Sequence, residues 1–270
     1  MSESPINQSA SKLLSVFIIA KNEEKRIAKT IKSVQDIANE IIVVDSGSED
    51  STCRIAEDLG CKVLFNKWQG FGKQKVFAEN QCKNHWVLNL DADEELSLEA
   101  RQEILQILNS DLVNFSAFRI KIVNQFHFET KPHKMAYYYN QIRLYNKNDA
   151  GFSDSPIHDS VIIGNFNKQI GQVKAIIYHQ SFLSFSHWLG KINFYSDLQA
   201  LDAFAKNKKR PAIKIFINPI LAFFKAFFIR RYFIYGVNGL IYSLIFAFSR
   251  FAKEIKIYES FALSCLKKSK

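Results

Sequence analysis

Four short apolar runs, each ending in a polar turn, restrict the first hundred residues to one kind of architecture. They are Leu13–Ala20 (LLSVFIIA), Glu40–Asp45 (EIIVVD), Cys61–Phe65 (CKVLF) and His85–Leu90 (HWVLNL). The runs are rich in β-branched residues, and the first is apolar almost throughout, as strands buried on both faces are. Between the runs lie stretches with helical spacing. Glu23–Val34 carries Ile27, Ile31 and Val34, Thr52–Leu59 follows Asp50 or Ser51 as its N-cap, and Phe71–Asn80 is the third. Strands alternating with helices predict a mostly parallel sheet with right-handed crossovers. Such sheets bind ligands beyond the carboxyl ends of their strands. Asn22, Asp45 and Asp91 all fall at those ends.

The pattern then changes. Ser116–Tyr145 alternates (Phe118, Ile120, Ile122, then Ile142 and Leu144), which predicts antiparallel strands around an insertion. Val161–Ile163 and Ala175–Ile177 read as further strands, and Ser186–Lys206 as a helix with Trp188, Ile192, Tyr195 and Leu198 along one side. Charge is also unevenly spread. Through Ala203 there are 22 Lys+Arg against 24 Asp+Glu, and from Phe204 onward 14 against 2, so the net +10 comes wholly from the last quarter. That quarter also holds Tyr232–Ser249, 18 uncharged residues at the lower limit for a membrane span. Pro219, two glycines and cations on both sides suit helices lying in the headgroup plane, with a single pass as the alternative. The same charge could bind nucleic acid, but no recognition motif accompanies it and the long apolar faces suit lipid, so nucleic acid is not an expected partner. Cys53, Cys61, Cys82 and Cys265 lack metal or redox spacing and read as free thiols. Residues 1–11 are polar and read as a disordered lead, not a signal peptide.

Asp91-Ala92-Asp93 is the most telling element. Two carboxylates one residue apart on a strand-to-loop turn can approach one divalent cation, which can in turn bridge a diphosphate. Oxygen ligands without cysteine favour Mg²⁺ or Mn²⁺ over zinc. The competing reading is that these acids, with Glu94, Glu95 and Ser97, cap the helix that carries Ile104 and Leu105. An Asp on an earlier strand of the same sheet, Asp45, favours the metal.

The series SVFIIAKNEE, EIIVVDSGSEDST and WVLNLDADEEL resembles the nucleotide-binding half of the inverting family-2 glycosyltransferases, which have the GT-A fold. The resemblance implies a Rossmann-like α/β domain with a nucleotide-sugar donor. It places Ala20, Asn22, Glu23 and Asp45 around nucleobase and ribose, Asp91 near the ribose, and Asp93 on the metal at the diphosphate. Many members have two acids where this chain has Asp45-Ser46, and a hydroxyl accepts from a base N–H less strongly than a carboxylate does. WQGFGKQK, IHDSV, YHQSF and the basic aromatic tail further resemble lipopolysaccharide-core glucosyltransferases, which add a β-linked glucose to lipid-anchored heptose.

Inverting transfer needs a base for the acceptor hydroxyl and stabilisation of the departing diphosphate. Relatives carry a His-Glu pair where this chain has His158-Asp159, which makes Asp159 the expected base, with Asp154 as its competitor. By the same resemblance His179 is a further metal or phosphate ligand, with a structural histidine as the alternative. Lys75, behind Gly70-Phe71-Gly72, either meets the diphosphate or sits on a solvated helix face, and Trp68 either stacks on a sugar or belongs to the core. The expected organisation is a GT-A domain over 12–206 and a basic amphipathic helical extension over 207–270. The expected activity is transfer of a hexose, glucose from UDP-glucose, to a lipid-anchored oligosaccharide at the cytoplasmic face of the inner membrane. The chain would be held there peripherally on anionic lipid. The alternatives are another acceptor (polyprenyl phosphate, capsule or protein) or a non-catalytic membrane adaptor that binds nucleotide sugars.

Overall fold

The computed structural model describes residues 12–154 and 160–268. Contacts divide the chain into two compact units, one running through Gln125 and resuming over Tyr138–Gln180, the other Phe126–Tyr137 and everything from Ser181. The expected boundary after Lys206 falls inside the second unit.

The first unit is built on an eight-stranded sheet. Its strands are β1 (Leu14–Ala20), β2 (Glu40–Asp45), β3 (Lys62–Phe65), β4 (Trp86–Asp91), β5 (Glu94–Leu96), β6 (Phe115–Asn124), β7 (Tyr138–Asn146) and β10 (Gln169–His179), in the order β3-β2-β1-β4-β7-β6-β10-β5. The first four strands pair in parallel, β7 runs antiparallel to β4 and β6, and β10 is parallel to β6. A separate two-stranded sheet joins β8 (Ala150–Phe152) to β9 (Val161–Ile163). The architecture is therefore α/β with a mixed, mostly parallel sheet.

Every residue of β1 is buried because both of its faces are covered. Val16 and Ile18 point to one side and pack with α1 (Ile27–Lys32) and α4 (Leu98–Leu108) through Ile27, Ile31 and Ile104. Phe17 and Ile19 point to the other side, with Val87, Tyr145 and Ala78 of α3 (Phe71–Gln81). Each large aliphatic side chain taken fully from water contributes about 1.5–3 kcal/mol. The thiols of Cys61 and Cys82 are buried in these layers, and burial pushes them up to about 11 and about 12, so both are packing residues.

The structure decides between two pairs of local alternatives. Glu94 and Glu95 do not cap a helix. They form β5, antiparallel to β10, and Ser97 alone caps α4 by accepting the Ala100 N–H at 3.1 Å. Behind Asp50, the cap of α2 (Thr52–Asp58) is the Asp50 carboxylate, which accepts from Thr52 N at 3.0 Å, whereas Ser51 makes no side-chain cap.

Glu79 of α3 is half-buried and accepts from Tyr145 Oη at 2.8 Å and Phe152 N at 3.0 Å. Burial raises its carboxyl above the ordinary value, against those two hydrogen bonds and Lys147. With the folded value above the unfolded one, this group's stabilisation is complete below about pH 4.3 and fades as pH rises through the folded value. Wild type should therefore gain stability relative to Glu79→Gln as pH falls from neutrality toward that value, read by urea denaturation across pH. A flat difference would contradict it.

The second unit contains α5 (Phe185–Ala205), α6 (Lys214–Phe224) continued by a π-helical turn over Lys225–Ile229, a 3₁₀ turn over Tyr232–Tyr235, and α7 (Gly236–Lys268). An aromatic cluster holds it together. Phe126, Phe182, Tyr232 and Tyr242 are buried, and Trp188 stacks on Phe182 with ring centroids 4.3 Å apart. The buried stripe of α5 matches the expected one at Trp188, which packs on the aromatic cluster, and Ile192, then departs from it. It runs Ile192, Ser196, Ala200, Ala203, while Tyr195 and Leu198 are exposed. Small residues let α7 approach closely, so Ala200 and Ala203 pack on Ile257. Tyr232–Ser264 is long and apolar enough to cross a membrane by length and composition.

Candidate active site

Three strands of the first unit end side by side. Ala20 is the register partner of Asp45, and Ile19 that of Asp91, so both acids flank the end of β1. Beyond it the chain turns through Asn22, whose φ of 56° lies in the left-handed region that asparagine tolerates. Asn22 donates its N–H to Ser48 Oγ at 2.8 Å and accepts from Glu49 N at 2.9 Å. Asp45 closes the loop after β2 by accepting from Gly47 N at 2.7 Å, Ser48 N at 2.8 Å and the Ser48 hydroxyl. The Ala20 carbonyl accepts from Ser46 N at 3.1 Å. Ala20, Asn22 and Asp45 thus meet in one rigid pair of loops. Glu23 joins them through its N–H, donated to Thr52 Oγ1 at 2.7 Å.

Asp91, at the end of β4, sits between two cations. Lys75 Nζ is 2.9 Å from Oδ1 and Arg143 is 3.2 Å from Oδ2. Burial works against its ionisation, yet Lys75 and then Arg143 outweigh it and hold Asp91 well below the carboxylate range. Its side chain remains 31% exposed, so an ionised carboxylate faces solvent at the strand ends. Lys75 is not on a solvated helix face: its side chain is 1% exposed. Arg143 also donates to Glu94 Oε1 at 2.6 Å and to Asn89 Oδ1 at 2.5 Å, while Glu94 accepts the Asp91 N–H at 2.9 Å. Burial pushes Glu94 up, and Arg143 opposes it.

Asp93 lies two residues on, facing His179 at the end of β10, with Oδ1 and Nε2 3.4 Å apart. Burial disfavours the charged imidazole, but Asp93 more than compensates and the pKa of His179 is raised. Nδ1 of His179 lies 3.1 Å from Asn124 Oδ1, and donation there presents Nε2 as the ligand atom. One oxygen and one nitrogen at this spacing suit two ligands of a single ion, with substrate oxygens and water completing the shell. Among the described residues no three His, Cys, Asp or Glu side chains are grouped to hold a metal by themselves. The pair could supply two ligands to an ion and does not by itself form a closed site.

Arg26 and Arg143 are the site residues missed at the sequence level. Arg26, 4% exposed, bonds Glu23 at 2.7 Å and the Gln180 carbonyl at 2.6 Å, and lies 3.5 Å from Asp93. Nothing in KNEEKRIAK marks Arg26 apart from its neighbouring lysines. Arg143 did carry a signal: it stands between Ile142 and Leu144 in an apolar strand, where a cation must find a partner. Asp159, with His158, lies outside the described residues. Asp154 is exposed. Trp68 is 42% exposed and packs edge-on against Phe71 at 4.7 Å, so it is not core.

The model of the "Glycosyl transferase family 2" family matches residues 15–168, more than half of the chain. The chain belongs to glycosyltransferase family 2. An uncharacterized glycosyltransferase of Rickettsia bellii is 45% identical over 262 residues, covering 94% of this chain and 89% of the relative. The lipopolysaccharide core biosynthesis glycosyltransferase LpsC of Rhizobium meliloti is 29% identical over 269 residues, covering 93% of each. Among solved structures, glucosyl-3-phosphoglycerate synthase of Mycobacterium tuberculosis, in complex with Mn²⁺, UDP and glucosyl-3-phosphoglycerate, is similar over 43% of this chain and 45% of its own. That pair has 22% identity and a TM-score of 0.35. This family-2 chain is a glycosyltransferase with the GT-A-like α/β fold, followed by helices.

Proposed function

We propose that this glycosyltransferase moves glucose from UDP-glucose, with inversion, onto a lipid-anchored lipopolysaccharide-core acceptor at the cytoplasmic face of the inner membrane. The observation that carries this reading is the end-to-end likeness to a core-biosynthesis enzyme, which includes the C-terminal helices as well as the catalytic unit. Inversion is one displacement: the acceptor oxygen bonds to the anomeric carbon as the bond to the diphosphate breaks, and the hydroxyl proton passes to a carboxylate. Asp159 is assigned that proton by resemblance. Asp45 and Asn22 would hold the base and ribose end of the donor. Asp91, kept ionised by Lys75 and Arg143, would accept from a ribose hydroxyl. Asp93 and His179 would hold Mg²⁺ or Mn²⁺, which when bound neutralises charge on the leaving diphosphate.

Membrane attachment fits a peripheral mode better than a span. The uncharged part of α7 is Gly236–Ser249. At 1.5 Å per residue it is about 21 Å long, short of the roughly 30 Å hydrocarbon core. Arg250, Lys253, Glu254, Lys256 and Glu259 follow it on the same helix. Exposed stripes run along Ile213, Ile217, Ile220, Phe224 and Phe228, and along Val237, Leu240, Leu244 and Phe248. Spacings of three and four put each stripe on one helical face, the pattern of helices lying in an interface.

The test is a donor screen against truncated lipopolysaccharide core, read by mass spectrometry with Mn²⁺ or Mg²⁺ present. One hexose gained from UDP-glucose, and little from other nucleotide sugars, is expected. Transfer only to a polyprenyl phosphate would overturn the acceptor, and no turnover of any nucleotide sugar would favour the adaptor.

A further inference from the structure

The C-terminal unit contains a cavity of about 310 Å³ whose charge is unbalanced. Arg210, Lys225, Arg250 and Lys253 line it, against the single carboxylate of Glu254. Four cations around one hollow repel one another, and the arrangement favours an anion between them. Burial, then Arg210 and Arg250, lower the Lys253 pKa while Glu254 raises it, so the crowding acts on Lys253 itself.

Glu254 supplies an independent observation. It is 3% exposed, and its Oε1 accepts from Arg210 at 3.0 Å and Asn218 Nδ2 at 2.9 Å. Its Oε2 is buried and, among the described residues, has no hydrogen-bond partner. A buried carboxylate oxygen without a donor is costly. A ligand carrying both an anion and a neighbouring hydroxyl would satisfy the cations and this oxygen together.

The rest of the lining says what else the ligand carries. Leu221 and Phe246 form apolar wall, and Leu221 is also 61% exposed beside the stripe of Ile217, Ile220 and Phe224. At about 30 Å³ per water the cavity has room for about ten waters, enough for a phosphate and a short polyol. We infer that this cavity binds the phosphate of one anionic phospholipid, with a headgroup hydroxyl donating to Glu254 Oε2. The inference deepens the peripheral attachment proposed above: one lipid is held in a built site, beyond diffuse attraction to a charged surface.

The full-length protein separates the two. Short-chain dihexanoyl phosphatidylglycerol, kept below its micelle concentration, should raise the melting temperature saturably, and the phosphatidylcholine analogue should not. Lys225→Gln/Lys253→Gln should weaken that response at least about tenfold, while Lys208→Gln/Lys209→Gln, which removes two cations outside the cavity, should leave it unchanged. Lys253→Arg, alone, should keep the response, and the melting temperature without lipid reports whether each variant folds. On phosphatidylglycerol vesicles, diffuse attraction alone would cost both double variants equally, about fivefold per cation. Equal losses, or no saturable response of wild type to monomeric lipid, would overturn the pocket. Wild type that responds to monomeric lipid yet ignores vesicles would support the pocket and overturn the membrane reading.

Discussion

Asp93→Ala should lower kcat/KM for sugar transfer by on the order of 10³-fold while leaving the fold intact. Asp93, 13% exposed in the turn after β4, faces His179, and its contact with Arg26 is long, at 3.5 Å. Arg26 keeps its closer partners, Glu23 and the Gln180 carbonyl, when Asp93 is removed. The stability cost should therefore stay below the about 3–5 kcal/mol of leaving a buried charge unpaired. Two measurements decide it: initial rates of UDP release over a Mn²⁺ titration, and the melting temperature in EDTA. A large rate loss with an unchanged melting temperature supports a ligand role. Unaltered turnover would remove the metal from Asp93, and equal losses of both would make Asp93 a structural residue.

The same stretch shows how far the residues alone could be read. Continuous apolar runs identified β1, β2 and β4, because a strand covered on both faces cannot afford polar alternation, while the edge strand β3 was read from its short run between helices. The positions of Asn22, Asp45, Asp91 and Asp93 followed from where those runs stop. β5 was not legible: Glu94-Glu95-Leu96 has the composition of a helix start, and only pairing with distant β10 makes it a strand. The buried face of α5 was misjudged for a similar reason. Large apolar residues attract attention, whereas the contact with α7 is made through Ala200 and Ala203. Nor did charge patterning reveal that Lys75, in a helix of low amphipathicity, is buried against Asp91. Partners brought together from 16, 49 and 52 residues away leave no local trace.

Arg143 is where that non-local information is most concentrated, and its removal should have the largest effect on stability. One guanidinium, 4% exposed, serves Asn89, Asp91 and Glu94. In Arg143→Ala, Glu94 loses its 2.6 Å ion pair and is left buried against the Asp91 loop. Stranding a buried charge in this way costs about 3–5 kcal/mol. At a few degrees per kcal/mol, the melting temperature should fall by roughly 10 °C. Arg143→Lys should recover only part of this, since one ammonium cannot fork to three acceptors held by different parts of β4 and β5. The strongest check removes the stranded charges as well. Arg143→Met and Lys75→Met with Asp91→Asn and Glu94→Gln should regain most of the lost stability, because the buried Lys75 is paired with Asp91 and the neutral set carries no uncompensated charge. Transfer should stay low in that quadruple variant, since Asp91 is assigned to the donor. Urea denaturation, with hydrogen exchange of the β4 and β7 amides as a local readout, measures the difference. If Arg143→Ala unfolds within about 0.5 kcal/mol of wild type, the network does not hold the site together. Activity regained along with stability in the quadruple variant would instead place the donor contact on residues other than Asp91 and Lys75.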